Sequence, residues 1–330
     1  MVYSAFGSNR PLVMGFLIIP AAVFVGIGFF TYDFPEYNLA GPLSDLFISL
    51  LDPFPQLRIL LGMILILTNA ILLNIIYNGN DLAQSENYFP SLLFFFFAVL
   101  DLRAIDVHPI LLSTLFILLA LRRLLALYRS ERSLSIGFDS GFFLGVSILF
   151  FPPSVLVLPL IWIGFIRTRA FNLREWVVPI TGLLAVGIYA FSYYFIGNYE
   201  FDPSEFFTPG KLLSEIPDGN KRLAIIWMAA VTILLMGLGL FFFFLEISKS
   251  TLRKKNTKYV FLWGSLLLLM EFFAVSFLAG DSKGLWLITA VPVAVYGGFY
   301  FSHKGRRKQA RTIFFFFCLV ACLGYIVLAN

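Results

Sequence analysis

The sequence predicts an all-α fold: a polytopic transmembrane bundle of about eleven helices, one integral-membrane domain over residues 1–330. Three observations predict it. The chain is 59% hydrophobic and only 13% charged, with a mean hydropathy of +0.88, whereas soluble domains carry roughly 45–50% apolar and about 25% charged residues. Its apolar residues come in runs that approach or reach the ~20 residues a helix needs to cross a bilayer. Its basic residues fall in short loops between those runs.

In chain order the runs are 12–31, 57–77, 89–103, 109–128, 135–150, 153–167, 176–197, 223–246, 259–279, 284–302 and 312–329. The first is followed by no credible cleavage site and reads as a retained signal anchor. Runs 89–103, 135–150 and 153–167 are short. The last two are separated only by Phe151-Pro152-Pro153, so they read either as two spans or as a bent, re-entrant pair. The phenylalanine runs Phe94–Phe97, Phe241–Phe244 and Phe314–Phe317 suit a lipid-facing surface.

With the N-terminus inside, inner segments hold 18 of the 24 basic residues, and outer segments hold only Arg58, Arg103, Lys211, Lys221, Arg222 and Lys283. That bias predicts an inside N-terminus and an outside C-terminus. The acidic inner loop 78–87 is the exception. The two longest loops, 32–56 and 198–222, are then outer.

Within the first outer loop, apolar residues at 43, 46, 47, 50 and 51 have helical spacing, with Asp45, Ser49 and Asp52 on the other side. They predict a short helix along the membrane surface. In the second, Asp202-Pro203 and Thr208-Pro209 are helix starts. On the inner side, Asn172 and Glu175 have capping-box spacing at the start of the seventh span. Gly137, Gly141 and Gly145 leave one face of the fifth span bare for close helix approach.

The composition excludes several function classes. There is no glycine-rich phosphate loop, no HExxH and no paired CxxC. Cys318 and Cys322, four apart in the last run, read as small packing residues. His108 and His303 fall on opposite sides of the predicted topology and cannot share a metal, so no metal site is predicted from ligand spacing. The net charge of +5 reflects the loop bias, and no nucleic-acid partner is expected.

Two acids lie inside runs. Glu271, near the middle of the ninth, should be protonated, face a polar cavity, or meet a basic group on another helix. A lone acid is not a relay, so a coupling role and a structural hydrogen-bond role both stay open. Asp139, near the inner end of the fifth, reaches headgroup level or pairs with Arg132.

The stretch Asn87–Arg174 combines Pro109 opening a span, a basic turn at Arg122-Arg123, a GFFLG segment at Gly141–Gly145, a proline-broken pair of spans and a further arginine cluster. In these features it resembles the middle of type-C glycosyltransferases, which transfer sugars from polyprenyl-phosphate carriers on the outer face. Over most of its length the chain also resembles an uncharacterised bacterial family of polytopic inner-membrane proteins, which implies no activity. The type-C resemblance implies a catalytic acid in the first outer loop, where Asp33 stands, followed by a surface helix. Asp33 or Glu36 would deprotonate an acceptor hydroxyl or hold a divalent metal ion beside the leaving phosphate. Arg58, Arg103 and His108 would neutralise that phosphate. This sequence departs from the type-C pattern in reading Asp33-Phe34-Pro35-Glu36 instead of adjacent acids, and in lacking a long C-terminal outer domain.

The function expected is thus that of a multi-pass protein of the bacterial inner membrane, in contact with the lipid bilayer. One reading is a type-C-like glycosyltransferase using a polyprenyl-phosphate-linked sugar. A second is a non-catalytic subunit beside other envelope membrane proteins in a secretion, motility or polymer-export complex. A third is a transporter with Glu271 as coupling acid.

Overall fold

The computed structural model describes residues 6, 11–31, 39–80, 82, 85–99, 105–129, 132–168, 172–197, 219–279, 284–302, 312 and 315. Among these there are eleven α-helices and no strand. A 3₁₀ turn, Pro11–Leu17, leads into α1 (Ile18–Thr31). Then come α2 (Pro42–Leu51), α3 (Pro55–Gly79), α4 (Phe89–Ala98), α5 (Pro109–Ala126) and α6 (Ser133–Phe150). After a short 3₁₀ turn at Leu127–Arg129, another, Pro152–Val157, precedes α7 (Pro159–Thr168). The remainder are α8 (Leu173–Gly197), α9 (Gly219–Lys249), α10 (Leu252–Ala279) and α11 (Trp286–Ser302).

Every described apolar run is helical, and proline sets many of the starts. Pro42, Pro55, Pro90 and Pro109 all stand in the first two helical positions, where a missing N–H costs nothing. Six helices are long and apolar enough to cross a membrane: Pro55–Gly79, Pro109–Ala126, Ser133–Phe150, Leu173–Ser192, Ala229–Ser248 and Leu252–Ser276. They mark the protein as membrane-embedded. The other apolar helices, such as Phe89–Ala98 and Trp286–Ser302, are shorter. The last predicted span apart from residues 312 and 315, including Cys318 and Cys322, lies outside the described residues, as do His303 and the loop starts at Asp202 and Thr208.

The core runs through α4 and α11. All but three of the 17 residues of α11 are buried, as are nine of the ten in α4. Small residues bring the neighbours in. A Cβ on Gly239 of α9 would run into the Tyr296 carbonyl of α11, and one on Gly297 would meet Leu93 of α4. The Phe94–Phe97 run therefore corrects the expectation of a lipid-facing surface: Phe94, Phe95 and Phe97 are buried. Lipid and protein core are equally apolar solvents, so composition does not distinguish them. Phe241 and Phe244 are exposed, and Phe243 between them is buried against Tyr296 and Phe299.

The bare glycine face of α6 works as expected. Gly141 lies against the Pro179 carbonyl of α8, and Gly145 against Val186. Asp139 finds its ion pair on α5, 3.3 Å from Arg123 Nε. At the start of α8, Asn172 Oδ1 accepts from the Arg174 N–H at 3.2 Å, while Glu175 accepts from Ser133 Oγ at 2.8 Å. Glu175 thus ties α8 to α6.

Candidate functional site

Helix α2 forms where its spacing predicts, and its N-terminus is pinned. The prolines at 152 and 153 end α6 at Phe150, leaving terminal carbonyls to be satisfied. The Phe150 carbonyl accepts from the Gly41 N–H at 2.9 Å and from Ser44 Oγ at 2.7 Å. Ser44 is fully buried, whereas Leu46, Phe47 and Leu50 face outward. Beside this joint lies an apolar groove of about 260 Å³ between α2, α6 and α8, lined by Leu43, Leu46, Val146, Leu149, Val186 and Tyr189 among others.

The other end of α2 is wired to α3 and α5 through one guanidinium. Arg58 stands in the first turn of α3, and Gly62 is one turn further on. A Cβ on Gly62 would collide with the backbone of Asp106, so the bare position lets the segment before α5 lie directly on α3. That contact brings the Asp106 carboxyl group to Arg58. Arg58 Nε donates to Asp106 Oδ1 at 2.7 Å, Nη2 donates to Oδ2 at 2.5 Å, and Nη1 donates to Asp52 Oδ1 at 2.7 Å. Asp106 Oδ1 also accepts the Val107 N–H at 2.6 Å. Arg58 and Asp106 are buried, while the Asp52 side chain is 58% exposed.

His108 caps α5. Its backbone N–H donates to the Asp106 carbonyl at 2.7 Å, and its Nδ1 accepts from the Ile110 N–H at 3.1 Å. An imidazole that accepts at Nδ1 carries its proton on Nε2, so the His108 side chain can donate only from there. Gly284, just before α11, sits against that ring edge with φ +78°, and a Cβ there would run into Nε2.

A second buried polar group lies deeper. Ser113 is five residues along α5 from His108, about 7.5 Å down the axis. Its Oγ is 2.8 Å from Ser147 Oγ of α6 and 2.6 Å from Ser154 Oγ in the turn after the proline break. Ser154 Oγ is in turn 2.8 Å from Glu271 Oε1 of α10. All four side chains are buried.

Of the residues singled out from sequence, Arg58 and His108 come together at one end of the bundle, and Glu271 joins the serine chain below them. Asp33, Glu36 and Arg103 lie outside the described residues. Sequence reasoning missed Asp106, the principal partner of Arg58, and all three serines. The family comparison covers most of this architecture, matching residues 47–329. The chain belongs to the DUF6427 family. That family is described as one of unknown function. The DUF6427 match takes in Arg58, Asp106, His108, the serines and Glu271, and begins beyond Asp33 and Glu36. No curated protein and no solved structure matches the chain. Among the described residues, no three His, Cys, Asp or Glu side chains gather as a metal site.

Proposed function

We propose that this DUF6427 protein is a multi-pass protein of the bacterial inner membrane that handles a lipid-linked substrate, in the manner of a type-C glycosyltransferase. The end carrying α2, Arg58 and His108 faces outward. The observation that carries this reading is the joint of α2 with the broken end of α6. It holds an apolar groove open beside a surface helix whose far end is bound to the Arg58 cluster. A polyprenyl chain is apolar and thin enough for such a groove, and its phosphate would emerge at the level of α2.

In this reading Asp33, on the same loop as α2, takes the proton of the acceptor hydroxyl, and Glu36 assists it. A divalent ion held by these two acids would supply charge neutralisation at the leaving phosphate. His108 Nε2–H and Arg103 serve the phosphate. Arg58 acts as a positioning residue, because a phosphate would have to displace Asp106 from its guanidinium.

The test is complementation of a deletion strain with membrane abundance measured alongside. Asp33→Asn should abolish function at unchanged abundance, and Val146→Trp, which fills the groove, should reduce it. A fully active Asp33→Asn protein would remove the proposed base and overturn the transferase reading.

A further inference from the structure

The chain Ser147–Ser113–Ser154–Glu271 joins α6, α5, the proline-broken turn and α10 inside the membrane-embedded part of the bundle. Each serine has one hydroxyl proton, so the direction of the bond to a carboxylate fixes the bonds behind it. When Ser154 donates to Glu271 Oε1, Ser113 must donate to Ser154, and Ser147 to Ser113. One hydroxyl then donates to the carboxyl oxygen, with the other two ordered behind it. The other oxygen, Oε2, is buried and has no hydrogen-bond partner among the described residues. A dry, unpartnered carboxylate oxygen is an unstable arrangement in hydrocarbon.

Among the described residues, no neighbouring charge supplies the compensation. On the elements around Glu271, the described charges lie elsewhere and engage other groups: Arg123 with Asp139, Arg167 over Tyr259, Arg253 over Tyr128, and Lys258 with Glu246. Lys254 and Lys255 stand in the first turn of α10, some four to five turns from Glu271. Arg58 is held by Asp106 and Asp52.

We propose that Glu271 Oε2 and the serine chain form a binding site for one monovalent cation, a proton or Na⁺, at the proline break. A single carboxyl group with neutral hydroxyls balances one positive charge and not two, which disfavours Ca²⁺ or Mg²⁺. Irregular backbone beside an intramembrane acid is also the arrangement in which membrane proteins hold coupling ions. The site does not depend on the lipid-linked-substrate reading. A carboxylic acid that donates from Oε1 instead frees Ser154 to donate to Ser113, and Ser113 to donate to Ser147.

The test is infrared difference spectroscopy of the full-length protein in nanodiscs, between acidic and alkaline pH, in choline chloride and again in NaCl. The wild type should show one carboxylic-acid band that Glu271→Gln lacks. Loss of that band on adding Na⁺ at fixed pH identifies Na⁺ as the occupant in salt, and its persistence identifies the proton. Ser113→Ala cuts the chain while leaving the Ser154–Glu271 bond, and should shift the titration midpoint of the same band. Identical wild-type and Glu271→Gln spectra in both salts overturn the site, as does a Ser113→Ala titration that superimposes on wild type. If Glu271→Gln cannot be recovered, Ser154→Ala takes its place. It removes the direct donor, and an unshifted band in that variant likewise overturns the site.

Discussion

Replacing Asp106 by Ala would leave the Arg58 guanidinium buried beside α3 without its principal acceptor. Removing one partner of a buried ion pair costs on the order of 3–5 kcal/mol, because the other charge stays desolvated. Asp106→Ala should therefore lower the melting temperature in detergent strongly. Asp52→Asn should cost no more than about 1 kcal/mol, since Asp52 is largely exposed. An Arg58→Met, Asp106→Leu double variant should be milder than either single loss. Equal losses for Asp52 and Asp106 would show that the pair does not govern this end. At this scale the sequence was partly legible. Arg58 and His108 were singled out as outer groups that the type-C resemblance would set beside a phosphate. Asp106 did not, because "RAIDVHP" has no periodicity and its partner is 48 residues away. Gly62, one turn beyond Arg58, was the available hint that something lies close on that face.

Helix positions were legible almost throughout, because run length and opening prolines are local signals. Which face of each helix meets protein and which meets lipid was not, as the Phe94–Phe97 run demonstrates. Phe95→Ala should cost about 3–5 kcal/mol through the cavity it leaves, whereas Phe241→Ala, at an exposed position, should change the melting temperature little. The α2 joint gives a graded pair. Ser44→Ala removes one of two bonds to the Phe150 carbonyl and should cost roughly 0.5–1.5 kcal/mol. Gly41→Ala should cost more, because its Cβ would collide with the Leu149 carbonyl and lift α2 away from α6. If the two variants melt alike, α2 is not pinned as described. The serine chain was illegible for a different reason. Its bonded partners stand 34 to 117 residues apart in sequence, and no serine carries a mark of what it will meet across a helix interface.

Among the described residues, charge sorts by end. Arg58, Asp106 and His108 sit where α3 and α5 begin and α6 ends. The Arg123–Asp139 pair, Arg167 over Tyr259, Arg253 over Tyr128 and the buried Lys258–Glu246 pair sit toward the opposite ends of those helices and their neighbours. This sorting matches the 18-to-6 basic bias of the loops, which sets the proposed orientation. On that orientation the transferase proposal depends: the end bearing α2 and Arg58 must face outward, where a lipid-linked substrate would be met. The direct measurement is labelling of single cysteines in intact cells with a membrane-impermeant maleimide, in a background with Cys318 and Cys322 replaced by Ser. Ser49→Cys, exposed on α2, should label in intact cells, and Thr251→Cys, exposed between α9 and α10, should label only after permeabilisation. Labelling of Thr251→Cys in intact cells, with Ser49→Cys protected until the membrane is opened, would reverse the orientation and put the groove on the wrong side of the membrane for such a substrate.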